Sequence, residues 1–347
     1  MSNLRQNLAV RYRPTEFSQV VGQDITCRIL QKQLELQNFK NCYLFAGSTG
    51  CGKTTLARVF ANKINQGVGE PIEIDAASNG SVDNIRSIIE SANERSLTGV
   101  YKIFIIDECH SITSTGWQAF LKGIEEPPAY TIFIFCTTEP NKMPQTILNR
   151  VQRFNISKID APSIKKYLDY ICKSEQLTNY QATTDLISKV SNGCMRDAIT
   201  MLDQCASVSK DLSVENAKVI LGTFSFETMM RLTNYLLDGN GQGMFEIIDQ
   251  ADKEGNIRQF IDSYLEFVLD LNKYVLTRSI SITNIPDYLE NHTDPQLSVK
   301  YTTTFEGANL WFNKLAEYLL AIKTNTKYDL AQKSTVEAYL LKLCRGA

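Results

Sequence analysis

Residues 47–54 (GSTGCGKT) place three glycines, a lysine and a hydroxyl within one short turn. Gly47, Gly50 and Gly52 free the backbone N–H groups of Ser48, Thr49 and Cys51 to wrap a phosphate chain. Lys53 then reaches the β- and γ-phosphates as a point charge, and the Thr54 hydroxyl ligates Mg²⁺. Thr55 follows in a helix whose positive N-terminal end adds to the attraction. This is the P-loop pattern. It predicts binding of a nucleoside triphosphate, with ATP expected.

Hydrolysis requires a carboxylate that holds the magnesium. Asp107 closes the apolar run YKIFII (101–106) and fits that role, on a strand expected to lie beside the P-loop strand. Glu108 comes next and is placed to orient or activate the attacking water. The alternative is a solvated carboxylate at a strand end. Residues 107–110 spell DECH, as in some helicases. A helicase of that kind needs a second α/β domain, and the second half of this chain is helical. His110 is therefore read as a turn residue or polar contact.

Three further residues extend the site. The run TIFIFC (131–136) ends in two threonines, and a hydroxyl there can bond the water or the γ-phosphate. Thr138 is assigned this sensor-1 position ahead of Thr137. The alternative is a plain threonine-rich strand end. Arg150 ends a short helix at the edge of the α/β region. It is placed either to stabilise a phosphate held by a neighbouring subunit or to form a surface salt bridge. Arg196 begins a helix and either reaches back to the γ-phosphate or caps that helix.

Alternating elements must position these residues. Apolar runs at 42–46, 71–75, 101–106 and 131–136 alternate with helical patterns at 54–64, 81–94 and around Trp117, Phe120, Leu121 and Ile124. Continuous apolar strands separated by helices argue for a parallel sheet covered on both faces. After about Asn155 the strand signal fades. Short helices broken at Asn179, Asn192-Gly193 and Asp211 follow, then long apolar stripes such as Phe260, Tyr264, Phe267, Val268, Leu271 and Val275. The expected layout is an α/β P-loop domain over 1–159, a small helical domain over 160–221 and a larger all-helical domain over 222–347.

The composition bounds the partners. Across 347 residues, 36 Lys+Arg balance 38 Asp+Glu, a formal charge of -2. Such a chain cannot gather nucleic acid through bulk charge and needs local patches or helix N-termini. The nine cysteines contain no C-x-x-C pair, and the chain has two histidines, which argues against a zinc site. The cysteines read as reduced, buried thiols. With no apolar leader and no run of about 18 apolar residues, a soluble cytoplasmic protein is expected, with no membrane partner.

Seven segments together resemble one family, the gamma/tau ATPase subunit of bacterial DNA polymerase III clamp loaders, in the AAA+ superfamily. They are RYRPTEFSQVVGQ (11–23), YLFAGSTGCGKTTLARVFA (43–61), IEIDAASN (72–79), YKIFIIDECHSIT (101–113), FLKGIEEPP (120–128), TTEPNKMPQTILNRVQRF (137–154) and GCMRDAITMLDQ (193–204). The resemblance covers about 10–222. It implies an AAA+ core, a helical lid and a helical collar that closes a pentameric ring with other clamp-loader subunits. It implies ATP-driven opening of a sliding clamp on primer–template DNA, and clamp release on hydrolysis. By position, Lys53, Thr54, Asp107 and Glu108 are the Walker residues. Thr138 is sensor 1, Arg150 the finger acting in trans and Arg196 sensor 2. Arg11, Tyr12, Val20 and Val21 match the segment around the adenine. Arg86 and Thr115 match helices that face DNA.

Some features depart from the family. Its four-cysteine zinc module is replaced by INQGVGEP. Val151 stands where the family has Cys, Asn149 where it has Ser, and Thr49 where an arginine is common. The sequence stops at the collar, without a tau tail, as expected of a compact form from a bacterium or from a phage that infects one. Another AAA+ DNA motor, or a non-hydrolysing subunit of the same loader, are the competing expectations.

Overall fold

The computed structural model describes residues 6–221, 226–253, 257–277, 308–325 and 332–345. The chain divides into two compact units, Met1–Ala217 and Lys218–Ala347.

The first unit opens with one helical turn, α1 (Leu8–Arg11), and helix α2 (Asp24–Glu35). The α/β alternation follows: β1 (Cys42–Gly47), α3 (Lys53–Ile64), β2 (Ile72–Asp75), the turn α4 (Ala76–Asn79), α5 (Val82–Ala92), β3 (Lys102–Asp107), α6 (Ser114–Glu125), β4 (Thr131–Thr137), the turn α7 (Gln145–Leu148) and β5 (Gln152–Ile156). Helices α8 (Ala161–Ser174), α9 (Gln181–Val190), α10 (Met195–Val208) and α11 (Val214–Ile220) come after the last strand.

The five strands form one parallel sheet in the order β2-β3-β4-β1-β5. Successive side chains of a strand face opposite sides, so strands covered on both sides must be apolar throughout. In β1, Tyr43 and Phe45 pack with Leu30 of α2 and with Leu56 and Phe60 of α3. Cys42, Leu44 and Ala46 pack on the other face with Ile85 of α5 and with Trp117 and Phe120 of α6. Phe120 is fully buried and meets the Phe133 and Phe135 rings edge-on, with centroids 5.2 and 5.4 Å away. Its truncation to Ala should cost about 3–5 kcal/mol.

The sheet order corrects one expectation. The Asp107 strand does not lie beside the P-loop strand, because β4 lies between them. The tip of β4, carrying Thr137 and followed by Thr138, therefore sits between the P-loop and Asp107. The fifth strand was not read from the sequence. In β5 only Phe154 and Ile156 are buried, while Arg153 and Asn155 are exposed. Two inward residues give too little periodic signal; pairing with β1 makes the segment a strand.

The second unit contains, among the described residues, α12 (Phe226–Leu237), α13 (Gly241–Lys253), α14 (Ile257–Thr277), α15 (Ala308–Asn325) and α16 (Gln332–Arg345). One apolar cluster joins all five, with Phe260, Tyr264, Val268 and Leu271 of α14 in its middle. The expected stripe of α14 is thus helix–helix core from Phe260 to Leu271, and the Val275 side chain lies outside the described residues. Inside this core, Thr233 Oγ1 donates to the Met229 carbonyl at 2.8 Å and lies 2.9 Å from the Tyr264 hydroxyl, which donates to it.

Candidate active site

The glycine-rich loop connects β1 to α3 in a conformation that side chains resist. Gly50 has φ +66° and Gly52 φ +102°, both in the left-handed region. A Cβ on Gly50 would lie 1.9 Å from Cys194 Sγ, whereas one on Gly52 would meet nothing within 4 Å. The loop is thus closed on one side by the N-cap of α10 and open on the other to a cavity of about 360 Å³. That volume falls in the usual range for a small-molecule site. Thr49 to Thr55 line it; Gly47 and Ser48 are not among its lining residues. Lys53 is buried, and its Nζ donates to the Ser48 carbonyl at 2.9 Å.

Across the cavity, Thr54 Oγ1 donates to Asp107 Oδ2 at 2.6 Å. A hydroxyl and a carboxylate oxygen so close, at the start of a helix, make a hard-oxygen pair suited to Mg²⁺ with a phosphate. Glu108 follows with φ +46° and ψ 41°, a left-handed conformation that a non-glycine residue adopts at some cost. Its N–H donates to Asp107 Oδ1 at 2.9 Å. Thr138 Oγ1 approaches Glu108 Oε2 at 3.4 Å, whereas the fully buried Thr137 Oγ1 accepts the Glu139 N–H at 3.0 Å. Of the two threonines, Thr138 faces Glu108. Arg196, at the start of α10, also lines the cavity.

The opposite wall comes from the N-terminal segment. Tyr12, Val20 and Val21 line the cavity, and Arg11 does not. The Arg11 guanidinium pairs instead with the Glu175 carboxylate just past α8. The Tyr12 hydroxyl donates to the same carboxylate at 2.5 Å, and Tyr167 Oη donates to the Tyr12 carbonyl at 2.6 Å. The Leu8 N–H points to Asp203 Oδ2 of α10 at 3.4 Å. Phe17, a few residues on, belongs to the sheet core. The segment therefore straps the helices after the sheet to the sheet itself. Burial and Glu175 together push the Tyr12 hydroxyl pKa upward.

Arg150 lies outside the cavity. Its Nη2 is 2.7 Å from Glu125 Oε1 at the end of α6, and its Nη1 donates to the Thr146 carbonyl at 2.7 Å. Arg86 and Thr115 are also remote from the P-loop. They line a separate open groove between α5 and α6, where Arg86 pairs with Asp83 at 3.4 Å and Thr115 Oγ1 is 3.2 Å from Thr113 Oγ1.

The cavity also holds residues not singled out from sequence. Arg58 lines it and pairs with Glu73 Oε2 at 2.5 Å. It stands one helical turn after Thr54 and so shares its face, a spacing that was available to find it. Tyr167 and Ile199 line the cavity from α8 and α10. Nothing in their local sequence marks them, because the fold alone brings those helices over the loop. Eight of the nine cysteines are buried and all nine are free. Among the described residues no His, Cys, Asp and Glu group has the arrangement of a metal cluster, and no helix is long and apolar enough to cross a membrane.

Residues 70–160 match the family described as DNA polymerase III, delta subunit, and residues 163–211 match the ATPase lid domain of the DNA polymerase III clamp loader subunit. The chain is 37% identical to the DNA polymerase III subunit tau of Bacillus subtilis over 70% of its own length and 47% of that protein. It is 32% identical to the gamma/tau subunit of Mycoplasma pneumoniae over 95% of its length and 50% of the relative. For the tau subunit of Escherichia coli the identity is 30%, over 72% of this chain and 42% of the relative. The chain thus spans about half the length of the curated relatives it matches. Among solved structures, the Holliday-junction branch-migration motor RuvB of Thermotoga maritima shares the fold, with TM-score 0.51, 17% identity, and coverage of 65% of this chain and 79% of that one. An AAA+ sheet, a lid and relatives that run across most of the sequence converge: the chain belongs to the gamma/tau family of DNA polymerase III clamp-loader ATPase subunits.

Proposed function

We propose that this chain is an ATP-hydrolysing motor subunit of a sliding-clamp loader. The observation that carries the reading is the convergence on one cavity of Lys53, the Thr54–Asp107 pair, Glu108 and Arg196, with Thr138 approaching Glu108 from outside its lining. A non-hydrolysing subunit would not need this set intact. The loop N–H groups and Lys53 bind the phosphates. Thr54 and Asp107 are the residues to hold Mg²⁺, which neutralises phosphate charge when bound. Glu108 takes the proton of the attacking water, Thr138 orients that water, and Arg196 balances charge on the γ-phosphate. Tyr12, Val20 and Val21 enclose the base.

Arg150, outside the chain's own cavity, serves the site of a neighbouring subunit in a ring. In the division 1–159, 160–221 and 222–347, the middle part is the lid and the last part the collar that closes the ring. ATP binding opens the clamp and grips primer–template DNA along α5 and α6, near Arg86 and Thr115. Hydrolysis releases the clamp. The setting is the cytoplasm of a bacterium.

Replacing Glu108 by Gln tests the reading. Nucleotide binding should persist while hydrolysis falls roughly 10²- to 10⁴-fold, the usual worth of a general base. Unchanged turnover would place the base elsewhere. A purified sliding clamp should also be retained by the chain and its partner subunits with a non-hydrolysable ATP analogue, and released with ADP.

A further inference from the structure

Two side chains approach the same oxygen of Glu108, and one of them is His110. Its Nδ1 stands 3.4 Å from Glu108 Oε2, the distance at which Thr138 Oγ1 approaches the same atom. The His110 side chain is 16% exposed and is held in a short 3₁₀ turn, Cys109–Ser111, directly after Glu108. Nδ1 is also 3.1 Å from Thr137 Oγ1, at the tip of β4. On the far side of the ring, Nε2 is 3.6 Å from Glu139 Oε1.

These contacts bear on tautomer. Each ring nitrogen faces a carboxylate, and a neutral imidazole has one proton to give. Glu139 Oε1 already receives Lys142 Nζ at 2.9 Å, and that hydrogen bond holds the Glu139 carboxyl below its ordinary pKa. Glu108 is paired with no lysine or arginine among the described contacts. With the proton on Nδ1, the N–H is shared between Thr137 Oγ1 at 3.1 Å, the nearer acceptor, and Glu108 Oε2 at 3.4 Å. Glu108 also has a left-handed backbone, so the aim of its side chain depends on what holds the carboxylate.

We propose that His110 is a positioning residue for Glu108: Nδ1–H and the Thr138 hydroxyl together hold Oε2, leaving Oε1 for the proton of the attacking water. The inference rests on the proposed role of Glu108 as base. Contacts of this length in a nucleotide-free site tighten when the substrate is in place.

The test is steady-state ATP hydrolysis by the full chain under the conditions used for E108Q. His110→Ala should lower kcat roughly 10- to 100-fold, the cost of misplacing a reacting group by about 1 Å, with KM for ATP within about twofold. His110→Asn, whose amide nitrogen can take the place of Nδ1, should recover much of kcat. His110→Gln, whose amide reaches toward the place of Nε2, should not. In the E108Q background, H110A should cause no further loss. Should H110A fail to fold, the Asn and Gln variants decide by the same contrast. Full kcat in H110A, a rise in KM alone, equal rates for H110N and H110Q, or the same fold-loss with and without E108Q would each overturn the inference. If E108Q itself turns over at the unmodified rate, the base assignment has failed first, and the inference falls with it.

Discussion

The Tyr12 hydroxyl donates to the Glu175 carboxylate at 2.5 Å, so a wall of the nucleotide cavity is held by the helices that follow the sheet. Arg11 pairs with the same carboxylate. Glu175→Ala should free this strap and weaken nucleotide binding by about tenfold, the equivalent of losing roughly 1.4 kcal/mol from a hydrogen bond to a charged group. Titration with a fluorescent ADP analogue reads the effect. Glu175→Gln, which keeps an acceptor for Tyr12, should restore most of it. An unchanged Kd for Glu175→Ala would show that the strap holds without this contact.

Arg150 is exposed, paired with Glu125 and outside the cavity of its own chain. Arg150→Ala should leave nucleotide affinity within about twofold. Unfolding free energy should change by under about 1 kcal/mol, as for exposed ion pairs. Hydrolysis should fall in the assembled ring and not in the isolated chain. Equal activity of variant and unmodified rings would remove the trans-acting role.

Gly50 has φ +66°, and a Cβ there would sit 1.9 Å from Cys194 Sγ. Gly50→Ala thus meets both backbone strain and a clash with the start of α10. It should destabilise the first unit by about 1–3 kcal/mol and abolish nucleotide-dependent stabilisation. Thermal unfolding with and without ADP reads both effects. Gly52→Ala separates them, because a Cβ there meets no protein atom. Its cost in stability should be the smaller of the two, with nucleotide binding still lost to the methyl group in the phosphate path. Equal stability losses would mean that Cys194 yields freely.

Burial raises the thiols of Cys205 and Cys194 to about 11 and that of Cys172 to about 12, from an ordinary value of 9.0. The folded chain keeps these protons to higher pH than the unfolded chain does. Between pH 9 and 11–12 the unfolded state binds fewer protons, so stability falls as pH rises; below pH 9 this contribution is fully present. Urea midpoints in the presence of a reductant should drop between pH 8.5 and 10.5. Cys205→Ala should shrink that drop relative to its own pH 8.5 value. A pH slope unaffected by the substitution would mean that the thiol does not titrate in this window.

The P-loop and the two carboxylates after β3 were legible because their chemistry is local. A phosphate loop needs glycines, a lysine and a hydroxyl at fixed spacing on one turn, and Asp107 and Glu108 follow a run that only a buried strand explains. The sheet, its covering helices and the helical stripes were legible for a related reason: burial on two faces or one imposes its period on the sequence. The tertiary structure decided what depends on pairs of distant segments. It inserted β4 between β1 and β3, and so put Thr138 against Glu108. It made a strand of 152–156 through hydrogen bonds to β1. It turned Arg11 away to Glu175 while leaving Tyr12 on the cavity, a division between neighbours that no local rule distinguishes. Residue types fix which bonds a side chain can make; which partner it meets is settled only when the strands and helices pack.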